Sequence, residues 1–85
     1  MTDWCVYIVR CADGTLYTGA TNDLDKRLRA HNEGKGAKYT RTRLPVALVA
    51  TVGGLSKSQA LSLEWHVKRQ PRANKVAFLM ESVGD

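Results

Sequence analysis

Cysteine, histidine and proline are scarce in this sequence of 85 residues, with two of each, and it holds six aromatic residues. Cys5 and Cys11 flank an apolar run that reads as a single strand. At about 3.3 Å per residue their Cα atoms lie roughly 20 Å apart, well beyond the ~7 Å that a disulfide spans, so both are expected as reduced thiols. Cys5, Cys11, His31 and His66 follow no structural zinc spacing. No apolar stretch approaches the ~18 residues of a membrane span. The opening residues Met1 to Cys5 lack the basic start and apolar run of a signal peptide, so a soluble, cytoplasmic chain is expected. With 44% hydrophobic residues the chain is too apolar to be disordered, and its length suits one domain over residues 1–85 rather than a large multi-substrate enzyme.

Acidic residues are also in the minority, eight against thirteen Lys and Arg, for a net charge of +5. The imbalance is concentrated. Residues 1–25 set Arg10 against Asp3, Asp13, Asp23 and Asp25, a net of −3. Residues 26–43 set Lys26, Arg27, Arg29, Lys35, Lys38, Arg41 and Arg43 against Glu33 alone, a net of +6. Such a block is the electrostatic footprint of a polyanion-binding surface, although a solvated face that aids solubility would carry the same charge.

Trp4 to Cys11 is rich in β-branched and aromatic residues and ends at Ala12-Asp13-Gly14, a strong hairpin signal before a second strand over Thr15 to Ala20. With a three-residue loop, Val9 faces Tyr17, Tyr7 faces Gly19, and the two tyrosines share a face. Thr21-Asn22-Asp23 supplies caps for a helix to about Glu33, with Leu24 and Leu28 as its apolar stripe and Arg27 and His31 along one edge. Gly34-Lys35-Gly36 stops it, and residues 34–44 read as a basic loop. Pro45 to Val52 reads as a buried strand broken by Gly53-Gly54. Ser56 and Gln59 form a capping-box signature for a helix to about Gln70, Pro71 ends it, and a third helix runs from Arg72 to about Ser82. On the middle helix Glu64 falls between Ala60, Leu63 and Val67 on one side and Leu61 and Trp65 on the other. A carboxylate in the middle of an apolar arc calls for either an i, i+4 pair with Lys68 or a place in a functional cleft. The pattern describes an α+β chain with a three-stranded, mostly antiparallel sheet flanked by three helices.

Taken in order, Cys5-Val6-Tyr7, Tyr17-Thr18-Gly19, Asp23-Leu24-x-x-Arg27-Leu28 and Glu64 resemble the motifs of the GIY-YIG nuclease family. The resemblance covers about residues 4 to 80, and it is closest to the small stand-alone bacterial members, including the segment from Gly34 to Thr40. It implies a catalytic set of Tyr7, Tyr17, Arg27, His31 and Glu64. Glu64 would hold one divalent ion, Mg2+ or Mn2+, Arg27 would grip the scissile phosphate, and Tyr7 or Tyr17, assisted by His31, would position or activate water. Lys35, Lys38, Arg41 and Arg43, with Tyr39 as a stacking ring and Lys68 and Asn74 further along, would follow a nucleic-acid backbone or unpaired bases. Cys5 stands at the glycine of the first motif, Ala20 where some members have lysine, and Asn74 is the candidate for the family's late asparagine. The expected function is an endonuclease acting on DNA, including single-stranded or branched repair intermediates, with RNA equally compatible and targeting supplied by a protein partner. Two other readings fit the same residues: a nucleic-acid-binding module with weak or no catalysis, and an adaptor using an apolar face.

Overall fold

The structure is a computed structural model and describes residues 2–82. The chain runs β1 (Trp4–Arg10), β2 (Leu16–Thr21), α1 (Leu24–Asn32), α2 (Lys38–Arg41), β3 (Ala47–Leu55), α3 (Lys57–Lys68) and α4 (Arg72–Glu81). Both strand pairings are antiparallel and the sheet order is β2-β1-β3, so the apolar first strand is central.

The hairpin closes as the turn residues dictate. The Cys11 N–H donates to the Thr15 carbonyl at 2.8 Å, and Gly14, at φ +87°, donates to the Cys11 carbonyl at 2.9 Å. A positive φ suits glycine, which has no Cβ to clash. The register pairs Val9 with Tyr17 and Tyr7 with Gly19, which puts the two tyrosines on one face as the three-residue loop requires. Three contacts anchor the hairpin tip to the rest of the chain: Ala12 N–H to the Arg43 carbonyl, Arg43 to the Asp13 carboxylate, and Arg72 to the Gly14 carbonyl.

Side chains alternate across β1. Val6 and Ile8 pack with Ala60 and Val67 of α3 and Leu79 of α4, whereas Tyr7 and Val9 pack with Leu24 and Leu28 of α1 and with Val46. The sheet therefore carries helices on both faces. α1 begins at Asp23, whose carboxylate accepts from the Lys26 N–H, and its end is followed by Gly34 at φ +79°. α3 opens on the reciprocal capping box of Ser56 and Gln59. Cys5 and Cys11 are free.

Three sequence expectations are corrected. There are four helices rather than three, because one turn of α2 forms inside the segment expected to be a loop. Its N-cap, Ala37, offers no side-chain acceptor, so what holds this turn is its buried Thr40. β3 is an edge strand with Leu48 and Val49 exposed, and it continues through Gly53-Gly54, where a bulge sets two residues against Cys5. An uncharged apolar run does not by itself distinguish a central strand from a bulged edge. Finally, Leu61 and Trp65 are exposed, so the apolar arc of α3 is narrower than expected and Glu64 lies at its border.

Candidate active site

The face of the sheet that bears Tyr7 and Tyr17 meets α1, and there the structure brings four sequence-predicted residues together. Tyr7 is fully buried, and its hydroxyl lies 2.8 Å from His31 Nε2 while accepting from Arg27 Nε at 3.3 Å. His31 Nδ1 lies 2.8 Å from Thr40 Oγ1, and the Thr40 hydroxyl donates to the Ala37 carbonyl at 2.9 Å. A hydroxyl has one proton to give, so Thr40 accepts from His31 Nδ1–H, which makes Nε2 the acceptor for the Tyr7 proton. The network thus assigns a neutral imidazole with one tautomer. Burial and the Arg27 charge both lower the His31 pKa, in keeping with that neutral form. Burial raises the Tyr7 pKa, and the hydrogen bond and charge of Arg27 offset part of the rise. Arg27 is held firmly cationic, chiefly by Tyr7 and also by the Tyr17 hydroxyl. His31, on the edge of the α1 stripe, is therefore a core residue.

A buried neutral histidine makes stability depend on pH. The unfolded chain takes up a proton below about pH 6.5, whereas the fold, with its lowered His31 pKa, refuses it. Stability is expected to be full above that value and to fall as pH drops below it. In urea titrations between pH 7.5 and 5.5 the wild-type midpoint should fall and the His31→Gln midpoint should fall less; identical pH dependence in the two proteins would refute the assignment.

Gly19 and Gly36 make room for this cluster. A Cβ on Gly19 would strike the Tyr7 hydroxyl, and one on Gly36 would strike the His31 ring. Gly19→Ala is expected to destabilise the fold by about 1–3 kcal/mol through overpacking, measured by urea denaturation. A loss below ~0.5 kcal/mol would mean that the Tyr7 hydroxyl has freedom to move aside.

Glu64 comes from α3, which packs against β1 and β2, and it approaches Tyr17 by way of Lys68. Its side chain is 19% exposed and pairs with Lys68 Nζ at 2.9 Å. Lys68 also lies over the Tyr17 ring, 5.8 Å from its centre. Tyr17 is half-buried, meets the His31 ring edge-on, and stacks on Tyr39 with 6.0 Å between ring centres. Tyr7, Tyr17, Arg27 and His31 thus form one cluster, and Glu64 is linked to it through Lys68 over the Tyr17 ring.

Among the described residues no group of three or more His, Cys, Asp and Glu could hold a metal, and Glu64 is the carboxylate that the resemblance offers. Magnesium commonly takes one or two carboxylates and fills its remaining positions with water. Glu64 fits that demand, since it is partly exposed and already attracts a cation, the Lys68 ammonium.

The nucleic-acid candidates divide. Lys35, Lys38, Tyr39 and Arg41 lie along the segment after α1, with Tyr39 and Arg41 exposed. Arg43 is engaged elsewhere: it pairs with Asp13 at 3.0 Å, donates to the Tyr39 carbonyl at 2.7 Å, and lays its guanidinium over the Tyr39 ring. Asn74 is exposed in a separate groove with Gln70, Ala77, Phe78 and Glu81, so it does not join the site. Its neighbour Lys75 instead lines a groove with Tyr17 and Lys68. Sequence reasoning missed Lys75 and Thr40. Lys75 stands next to Asn74 in the first turns of the helix after Pro71, which was its signal, whereas nothing in the helical periodicity links Thr40 to His31.

A small antiparallel sheet with helices on both faces carries this cluster, and its match to the GIY-YIG catalytic domain makes it a nuclease-type fold. The chain belongs to the GIY-YIG family, with residues 3–77 matching the GIY-YIG catalytic domain. It is similar to the UPF0213 protein YsiG of Lactococcus lactis, 54% identical over 82% of this chain and 67% of that one. A UPF0213 protein of Nitratidesulfovibrio vulgaris is 45% identical over 96% of this chain and 74% of its own length. The solution structure of the UPF0213 protein BH0048 from Bacillus halodurans superposes with a TM-score of 0.56 at 46% identity, covering 95% of this chain and 86% of that one. The E. faecalis protein EF2693 gives a TM-score of 0.63 at 33% identity, covering 96% of this chain and 86% of that one. No helix among the described residues is long and apolar enough to cross a membrane.

Proposed function

We propose that this chain is a metal-dependent endonuclease that hydrolyses phosphodiester bonds in DNA, including single-stranded and branched repair intermediates. The observation that supports this reading best is Arg27 against Tyr7, with Glu64 linked to the neighbouring Tyr17 through Lys68. Cleavage of a phosphodiester needs cations on the developing charge, an oriented water and a route for its proton. Arg27 gives Nε to Tyr7 and keeps its terminal nitrogens for the scissile phosphate, which a planar fork grips in a fixed orientation. Glu64 would hold a divalent ion, Mg2+ or Mn2+, which when bound would supply charge neutralisation and a more acidic water.

The tyrosines take different parts. Tyr17, the more accessible, orients the water against the phosphate. Tyr7, buried, fixes Arg27 and connects it to His31, whose Nε2 receives the Tyr7 proton. A phenol with a pKa near 10 is a poor base in isolation, and for Tyr7 burial raises it further while the Arg27 hydrogen bond and charge offset part of that rise. Lys35, Lys38 and Arg41 track the backbone by charge.

The test is a panel of single-stranded, duplex and branched DNA, with matched RNA, incubated with and without Mg2+ or Mn2+. Metal-dependent internal cleavage of at least one DNA is expected. Binding that persists with no cleavage under any metal would replace this reading with that of a catalytically weak nucleic-acid-binding module.

A further inference from the structure

Beside Tyr17, along the exposed edge of β2, runs a groove of about 200 Å³ lined by Leu16, Tyr17, Thr18, Tyr39, Lys68 and Lys75. Two of its six lining residues are cations. Lys75 comes from the first turns of α4 and donates to the carbonyls of Val67 and Lys68 at 3.1 and 2.9 Å, at the C-terminal end of α3. An ammonium has three protons to donate, so one is left over, and no carboxylate pairs with Lys75 among the described residues. The Lys68 ammonium belongs to the same groove, and burial, together with the Lys68 charge, lowers the Lys75 pKa. Two like charges brought together at a concave, partly desolvated surface repel one another, and an anion received between them relieves that repulsion. Lys68 is paired with Glu64 at 2.9 Å, so a cation taken up by that carboxylate would free it for the groove.

We propose that Lys75 and Lys68 form a second phosphate subsite at the β2 edge, which takes a backbone phosphate of the strand flanking the scissile bond. The subsite rests on the nuclease reading above and deepens it: Arg27 holds the scissile phosphate on one side of Tyr17, and the lysine pair holds a neighbouring phosphate on the other. Tyr39, stacked on Tyr17, closes the groove on the side of the basic segment. A strand held at both points crosses the face of Tyr17 in one direction. Lys75 thereby supplies the polar group that Asn74, in its separate groove, does not.

The experiment is binding of a twelve-residue oligothymidylate, in Mg2+-free buffer and with added Mg2+, followed by fluorescence anisotropy over a range of salt. For single strands each phosphate contact contributes about 0.7 to the slope of log affinity against log salt. Lys75→Gln keeps a donor for the α3 carbonyls and removes the charge; its slope is expected to fall by about 0.7, and Lys75→Arg should restore it. Lys68→Gln should fall by a similar amount with Mg2+ present. Lys57→Gln, which removes a lysine that lies over Trp4, is the control and should leave the slope unchanged. A wild-type slope retained in Lys75→Gln, or an equal fall in Lys57→Gln, overturns the subsite and leaves the nuclease reading standing. Failure of the wild type to bind the oligothymidylate at any salt also overturns the subsite, whereas the nuclease reading falls only if no DNA of the panel is cleaved.

Discussion

Glu64→Gln is expected to slow metal-dependent cleavage by about 1,000-fold or more while leaving the fold intact. The substitution keeps the shape of the side chain and removes the charge that a hard divalent cation requires. Metal-derived charge stabilisation is worth several kcal/mol, and at about 1.4 kcal/mol per tenfold in rate a loss of ~4 kcal/mol gives that factor. The structural cost is small, because the lost partner is Lys68, whose side chain is 50% exposed, and pairs this open contribute about 1 kcal/mol or less. Cleavage under single-turnover conditions should fall while the urea midpoint barely moves, and calorimetric titration should show weaker Mn2+ binding. A cleavage rate within threefold of wild type would remove Glu64 from the chemistry.

Arg27→Lys is expected to cost about 100-fold in cleavage rate despite keeping the positive charge. A lysine ammonium is a compact point charge, whereas the Arg27 guanidinium donates to Tyr7 through Nε and has two further nitrogens for a phosphate. Removing one preorganised donor from a developing charge typically costs about 10²–10³ in rate. The loss should appear in the single-turnover rate more than in substrate affinity, since the basic segment still binds the backbone. Wild-type turnover in Arg27→Lys, with weakened affinity alone, would make Arg27 a binding residue and nothing more.

The sequence carried the elements whose cues are local. Asp13-Gly14 with its three-residue loop put Tyr7 and Tyr17 on one face, Ser56 with Gln59 marked the start of α3, and Pro71 separated α3 from α4. Tyr7, Tyr17, Arg27 and His31 meet in space because of those elements, and Glu64 is tied to Tyr17 through Lys68. The contacts that bridge distant parts of the chain left no local signal. Thr40 anchors His31 from a four-residue helix that has no cap of its own, and Lys75 meets Tyr17 across the β2 edge. Arg43 looked like one more backbone contact in a basic run, yet its guanidinium spans Asp13, the Tyr39 carbonyl and the Tyr39 ring. Charge counting sees how many cations a segment holds and not which of them the fold already uses.

Glu64 and Arg27, arranged about two tyrosines, are proposed above to cleave phosphodiester bonds with the help of a divalent ion. The most direct test is the single-turnover cleavage rate of wild-type protein on single-stranded and branched DNA, titrated with Mg2+ from a metal-free start in EDTA. No cleavage is expected in EDTA, and the rate should rise and saturate as Mg2+ is added. An equal rate in EDTA, or no cleavage at any Mg2+ concentration, would contradict the proposal.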